Sequence, residues 1–255
     1  HMSAHSLTSA APVAIVIGAG LAGACAAHAL AQAGRRVLVL DRAHAPATGG
    51  ASALPVGLMA LRKNAKAERA NPEAIAWDAQ GMTATRALLA ALTAQGLLQE
   101  GRDWQACGTW QLDKAAARYD YQPEACWIKP AALVEACLQH PNIQFMGGQM
   151  VTAIRAQGSQ WQVGTAPQSW FDAQLVVLAA AAENAPLLAD LQAPYALGRI
   201  ILNTCAGQVL MGDWQDADAP CLPQAGLGAY NGNGHFMPAV PMAGGGAFWL
   251  SGATY

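Results

Sequence analysis

The residues most plainly suited to chemistry are Gly18-Ala-Gly20-Leu21-Ala22-Gly23, with Asp41 some way downstream. Glycines spaced G-x-G-x-x-G at a strand-to-helix turn make a phosphate cradle. Gly18 permits a tight turn, Gly20 lets a pyrophosphate approach the backbone, and Gly23 lets the helix pack close to the strand. The helix N-terminus adds N–H groups without intrahelical partners and the positive end of the helix dipole. Asp41 is placed to accept hydrogen bonds from ribose hydroxyls. Its charge repels a 2′-phosphate, an objection that Arg42 beside it softens. The spacing therefore predicts a dinucleotide site that includes Gly18, Gly20, Leu21, Ala22, Gly23, Asp41 and Arg42.

The elements that must position these residues are legible around them. Val13–Ile17 is an apolar run suited to a strand buried on both faces. ACAAHALAQA reads as helix and stops at Gly34. Val37–Leu40 is a second buried strand, which Asp41 closes. HAPATGGASALPVGLMA follows as a loop whose small residues suit close backbone approach. At helical spacing Arg62, Lys66 and Arg69 share one face, which is either a solvated face or a patch for an anionic substrate. Pro72 to Leu98 reads as one long helix with Ile75, Met82, Leu88, Leu89 and Leu92 facing a core.

The texture then changes. DWQACGTWQL and YDYQPEACWI are aromatic, broken by turns, and read as strands of another layer. KPAALVEACLQH returns to helix, with Pro130 in its first turn. Ile143–Met146, Gln149–Ile154 and Trp161–Val163 are short strands, Leu175–Leu178 is a fully buried run, and GQVLMG and HFMPAV are later strands. This order predicts an α/β chain with a Rossmann-like nucleotide-binding domain interrupted by an antiparallel-β-rich second domain. The expected ranges are 1–100 and 129–192 for the first, and 101–128 and 193–255 for the second.

Composition bounds the partners. The 255 residues are 53% apolar and 12% charged, which suits a globular chain with a generous core. Lys+Arg of 14 against Asp+Glu of 16 gives a net charge of -2, so any RNA contact requires a local basic patch. The six cysteines show no C-x-x-C spacing and no His pair supports zinc; they read as inert thiols of a reducing cytosol, with no metal. His1-Met2 reads as a cloning remnant. Ala10–Gly34 has the length of a membrane span, but its glycines, His28 and Gln32 argue against one, so the expectation is cytoplasmic with no membrane contact.

Taken together, these residues resemble the FAD-dependent D-amino-acid-oxidase-like oxidoreductases. The likeness rests on the N-terminal fingerprint with its terminal acid, the Gly50-Ala51-Ser52 loop, and LVVLAAAAEN. One branch looks most similar, on GASALPVGLMAL, CGTWQL, CWIKPAALVEACL, GQV and SGATY: the oxidoreductase that acts on modified tRNA wobble uridine. The resemblance implies FAD as cofactor, with Ala51, Ser52, Val151 and Ala179 joining the fingerprint in holding it. It implies oxidation of the glycyl C–N bond of a carboxymethylaminomethyl group, followed by imine hydrolysis and release of glyoxylate.

A cation must then hold the substrate carboxylate. Arg62, Lys63, Trp127 and Arg199 are the candidate substrate contacts, and Lys129 shares the motif of Trp127. Two further readings stay open: a flavin oxidase or dehydrogenase of free amino acids such as glycine or sarcosine, and a dinucleotide-binding module without catalysis. Relatives often continue the GAS loop with Gly-Asn, whereas Ala53-Leu54-Pro55-Val56 follow here. Relatives also continue past the position of Tyr255 with a glycine-rich segment over the flavin ring, so the expectation for 255 residues is weak or absent FAD, with the adenosine and pyrophosphate contacts best retained.

Overall fold

The computed structural model describes residues 14–61, 72–113, 117–166, 169–192, 202, 204, 207–215, 228–232 and 234–254. The strands in chain order are β1 (Ala14–Ile17), β2 (Val37–Leu40), β3 (Gly57–Met59), β4 (Trp104–Ala106), β5 (Thr109–Asp113), β6 (Arg118–Gln122), β7 (Cys126–Ile128) and β8 (Ile143–Met146). They continue with β9 (Met150–Gln157), β10 (Gln160–Ala166), β11 (Ser169–Ala173), β12 (Leu175–Leu178), β13 (Gln208–Asp213), β14 (Ala229–Asn231), β15 (His235–Pro241) and β16 (Ala247–Thr254). The helices are α1 (Leu21–Gln32), α2 (Pro72–Ala94), α3 (Pro130–Leu138) and α4 (Asn184–Gln192). The chain divides into two compact units: His1–Ala53 with Val134–Thr204, and Leu54–Leu133 with Cys205–Tyr255.

The first unit is built on a parallel sheet of order β12-β1-β2-β8, with Ile15 opposite both Leu38 and Val176. Alternate side chains of β1 and β2 go to opposite faces, so each strand feeds two cores. Ile15, Ile17, Leu38 and Leu40 pack with Ile154, Val163, Leu187 and Leu191. Ala14, Val16, Val37 and Val39 pack with Ala27 and Ala31 of α1. The alanines of α1 keep that helix close to the sheet. Full burial of a side chain such as Ile15 or Leu40 stabilises the unit by about 2 kcal/mol each.

β9, β10 and β11 form an antiparallel meander. β9 and β10 run further than the sequence signalled, and β11 was not foreseen, because its Ser, Asp and Ala dilute the strand signal. β12 is half-buried rather than fully buried as expected. It pairs only with β1 in its sheet, and an apolar run reads the same at an edge as in the centre.

The second unit holds a sheet of order β3-β7-β4 and a six-stranded sheet of order β13-β16-β15-β14-β5-β6. In the latter only β14 and β5 pair in parallel. Val56, Trp127, Ala229, Met237, Val240, Phe248 and Leu250 form its core.

α2 ends at Ala94, earlier than the expected Leu98. Gly96 turns left-handed at φ 75, and the Leu97 amide donates back to the Leu92 carbonyl, closing the helix end. Met82, Leu89 and Leu92 are buried as expected, whereas Ile75 and Leu88 are half-buried.

The unit boundaries differ from the ranges read in the sequence. The described residues of 54–100 and 129–133 belong to the second unit. One physical reason is that β3, which follows the GAS loop directly, pairs with β7.

Candidate functional site

The glycine loop lies in the first unit, between β1 and α1. Gly18 sits at φ 106 and donates its amide to the Leu40 carbonyl at 2.8 Å. A Cβ there would stand 2.5 Å from the Ala179 carbonyl oxygen, so both conformation and space demand glycine. Ala179 in turn donates to the Ile17 carbonyl at 2.8 Å, which fixes the end of β12 beneath the loop. A Cβ on Gly23 would overlap the Gly18 carbonyl oxygen and reach Val16 at 3.3 Å. The third glycine thus serves the loop's own closure as much as helix–strand packing.

Gly20 is the extended residue before α1 and has no side chain with which to cap it. Ser52, on the 3₁₀ turn Gly50–Ala53, supplies the cap from a distance: the Leu21 amide donates to its Oγ at 2.9 Å. A Cβ on Gly20 would lie 2.9 Å from that same Oγ, so Gly20 makes room for Ser52.

The Ala24 amide donates to the Gly20 carbonyl and opens the helical ladder. The amides of Gly20, Ala22 and Gly23 have no hydrogen-bond partner among the described residues. No acidic residue of α1's own first turn offsets the positive end of its dipole.

Asp41 borders this cradle. Its Oδ2 accepts the Ala19 amide at 2.6 Å and its Oδ1 the Ala43 amide at 2.8 Å. The carboxylate therefore tethers the loop to the end of β2, a role the sequence reading did not include. The segment before β9 runs alongside. The Gln149 amide donates to the Asp41 carbonyl at 2.8 Å, and the Gly148 amide to that of Ala43 at 3.0 Å. Val151, two residues on, packs half-buried against the core. Arg42 points to Glu183 at 3.1 Å, with both side chains exposed. Ala51 is exposed on the Ser52 turn.

The structure thus brings together Gly18, Gly20, Leu21, Ala22, Gly23, Asp41, Ser52 and Ala179. The contributions missed in the sequence are the backbone amides of Ala19 and Ala43, which carry no side-chain signal. Three unpaired amides at a dipole-positive helix end and an adjacent carboxylate fit the diphosphate and ribose of a dinucleotide.

The expected substrate contacts are differently placed. Arg62, Lys63 and Arg199 lie outside the described residues, as do Lys66 and Arg69. Trp127 is 4% exposed within the core of the second unit, so packing accounts for its indole. Lys129 lies over the Trp127 ring and donates from Nζ to the Pro241 carbonyl at 2.7 Å; burial lowers its pKa from the ordinary lysine value.

Asp103 in the same unit accepts the Gln99 amide and the Arg102 guanidinium. Burial pushes its carboxyl up, but the Arg102 and Gln99 hydrogen bonds outweigh this and hold it below the usual carboxylate range. Among the described residues, no group of three or more metal-ligating side chains converges, and no helix is long and apolar enough to cross a membrane.

Known proteins match this arrangement. Residues 14–255 fit the family model described as FAD dependent oxidoreductase. The tRNA 5-methylaminomethyl-2-thiouridine biosynthesis bifunctional protein MnmC of Albidiferax ferrireducens is 36% identical over 94% of this chain and 39% of its own length. That of Polaromonas sp. is 31% identical over 94% of this chain and 42% of its own. This chain therefore spans about two fifths of the length of those curated relatives.

Among solved structures, glycine oxidase from Geobacillus kaustophilus superposes with a TM-score of 0.68 at 17% identity, over 95% of this chain and 71% of that one. Iminodiacetate oxidase from Chelativorans sp. BNC1 gives 0.68 at 16% identity, over 94% and 71%. These structural likenesses concern the fold, whereas the match over nearly the whole chain gives the family: the chain belongs to the FAD-dependent oxidoreductases of the D-amino-acid-oxidase type.

Proposed function

We propose that this chain carries the nucleotide-binding part, and part of the substrate-binding part, of a flavoenzyme that oxidises the C–N bond of a glycine-like secondary amine. The proposed substrate is the carboxymethylaminomethyl group of a tRNA wobble uridine, and the released product is glyoxylate. The observation that carries this reading is the cradle of unpaired Gly20, Ala22 and Gly23 amides beside Asp41, in a chain with MnmC relatives at 31–36% identity.

The Gly20, Ala22 and Gly23 amides would bind the diphosphate, and the Asp41 carboxylate would accept from ribose hydroxyls. Ser52, Ala51, Ala179, Val151 and Arg42 would line the same half of the cofactor. FAD, when bound, supplies a two-electron acceptor for amine oxidation. What the chain must add is positioning of a neutral amine and a cation for the substrate carboxylate. Arg62, Lys63 and Arg199 are the proposed cations.

The test is incubation of the purified protein, FAD and tRNA bearing carboxymethylaminomethyl-uridine. Glyoxylate release and the matching mass loss at the wobble nucleoside are expected. An unchanged nucleoside, with flavin bleaching instead on anaerobic addition of glycine or sarcosine, would replace the tRNA reading with a free-amino-acid oxidase. ADP binding with no flavin reduction by any amine would leave a binding module only.

A further inference from the structure

Along α1 beyond the glycine loop lies a cluster that the nucleotide site does not use. Cys25 stands on α1 two residues after Gly23, and His28 one turn further on. Cys137 is near the end of α3 and fully buried, whereas Cys25 is half-buried and within reach of solvent.

His28 ties the two helices together at this point. Its Nδ1 lies 3.1 Å from the Cys137 carbonyl oxygen, which can only accept, so His28 donates from Nδ1. Its Nε2 is then free to accept from the Gln32 side-chain amide at 3.4 Å. The His140 ring meets His28 edge-on at 5.8 Å between centroids. These contacts hold the Cys137 backbone against α1. The His28 bond therefore sets the Cys137 end of α3 beside the turn of α1 that carries Cys25.

We propose that Cys25 and Cys137 form a peroxide-sensitive thiol pair that closes to a disulfide linking α1 to α3. The two thiols have unequal roles. The hydrogen bond from Cys137 lowers the Cys25 thiol below the ordinary cysteine value against the opposing effect of burial. The same pairing, together with burial, raises Cys137. A low-pKa thiol with solvent access beside a protonated neighbour is the arrangement of an attacking and a resolving cysteine.

The chemistry balances with hydrogen peroxide as oxidant. The Cys25 thiolate attacks one peroxide oxygen, the O–O bond breaks, and Cys25 becomes a sulfenic acid as hydroxide leaves and is protonated to water. The Cys137 sulfur then attacks the Cys25 sulfur, the S–S bond forms and the S–O bond breaks. The Cys137 proton leaves with that oxygen as a second water. Two thiols are oxidised by two electrons and one peroxide is reduced.

The experiment treats the reduced, purified protein with a slight excess of hydrogen peroxide at neutral pH and maps peptides by mass spectrometry without reductant. A Cys25–Cys137 linked peptide, lighter by two hydrogens and split by reductant, is expected. In Cys137→Ser, the Cys25 sulfenic acid should persist and be trapped by dimedone. In Cys25→Ser, Cys137 should stay reduced. Alkylation by iodoacetamide should be about tenfold faster at Cys25 than at Cys137. Circular dichroism of both variants checks that they fold.

The proposal fails if Cys25 links to a different cysteine. It also fails if Cys25 proceeds to sulfinic acid in the unaltered protein without linking, or if Cys137 reacts first. None of these readouts depends on flavin, tRNA or turnover, so their failure is separate from failure of the proposed activity.

Discussion

Each unit of this chain uses a carboxylate to hold a turn, and the two turns end differently. In the second unit Asp103 accepts the Gln99 amide and the neighbouring guanidinium of Arg102, so its charge is answered within the protein. In the first unit Asp41 accepts the Ala19 and Ala43 amides, and the residues just beyond Ala19 keep three amides without partners among the described residues. Unpaired backbone donors cost stability unless something accepts from them. A self-satisfied turn is what structure alone requires. A turn with surplus donors beside a helix dipole is what a bound anion requires.

That contrast can be broken experimentally, beginning with the changes of greatest consequence. Gly23→Ala drives a Cβ into the Gly18 carbonyl oxygen and should weaken ADP binding about a hundredfold, near 2.7 kcal/mol, with a lowered Tm. Calorimetric titration with ADP measures this, and unchanged affinity would remove the cradle as the nucleotide site.

Asp41→Ala releases the Ala19 and Ala43 amides and should cost about 2 kcal/mol in loop stability, with at least a tenfold loss of ADP affinity.

Asp103→Asn is the matched change in the second unit. It should lower unfolding free energy by about 1 kcal/mol at pH 7 and leave ADP affinity unaltered. The folded Asp103 carboxyl lies below its unfolded value of about 3.9, so its stabilisation is present above that pH and lost as pH falls through the folded value. Wild type and variant should therefore converge in urea unfolding as pH falls below the unfolded carboxylate value and through the folded one. A constant gap across that window would show that charge is not the cause.

The smallest effect is expected from Ser52→Ala, which uncaps the Leu21 amide: about 1 kcal/mol of helix stability and a severalfold change in ADP affinity. Rescue by Ser52→Thr would identify the hydroxyl as the active feature.

The first unit was largely legible because its chemistry is local. Gly18 to Asp41 runs through strand, turn, helix and strand in one continuous stretch, and each residue type is dictated by its neighbours. The second unit was less so. The β5–β14 pairing joins Trp110 to Tyr230, and Trp127 shares a core with Phe248 and Leu250, across separations that no periodicity spans. The unit boundary within residues 54–100 escaped for the same reason, since the pairing of β3 with β7 is invisible in the residues of either.

The sequence by itself determined the strand–turn–helix–strand unit, the need for glycine at 18, 20 and 23, and the acid at 41, because sterics and patterning act over a few residues. Only the tertiary structure decided which donors remain. Ser52 takes the Leu21 amide and Asp41 the Ala19 amide, from partners 31 and 22 residues away, which leaves Gly20, Ala22 and Gly23. It likewise placed Trp127 in a core and tied His28 of α1 to the Cys137 carbonyl, because burial and long-range hydrogen bonds depend on which distant segments pack together.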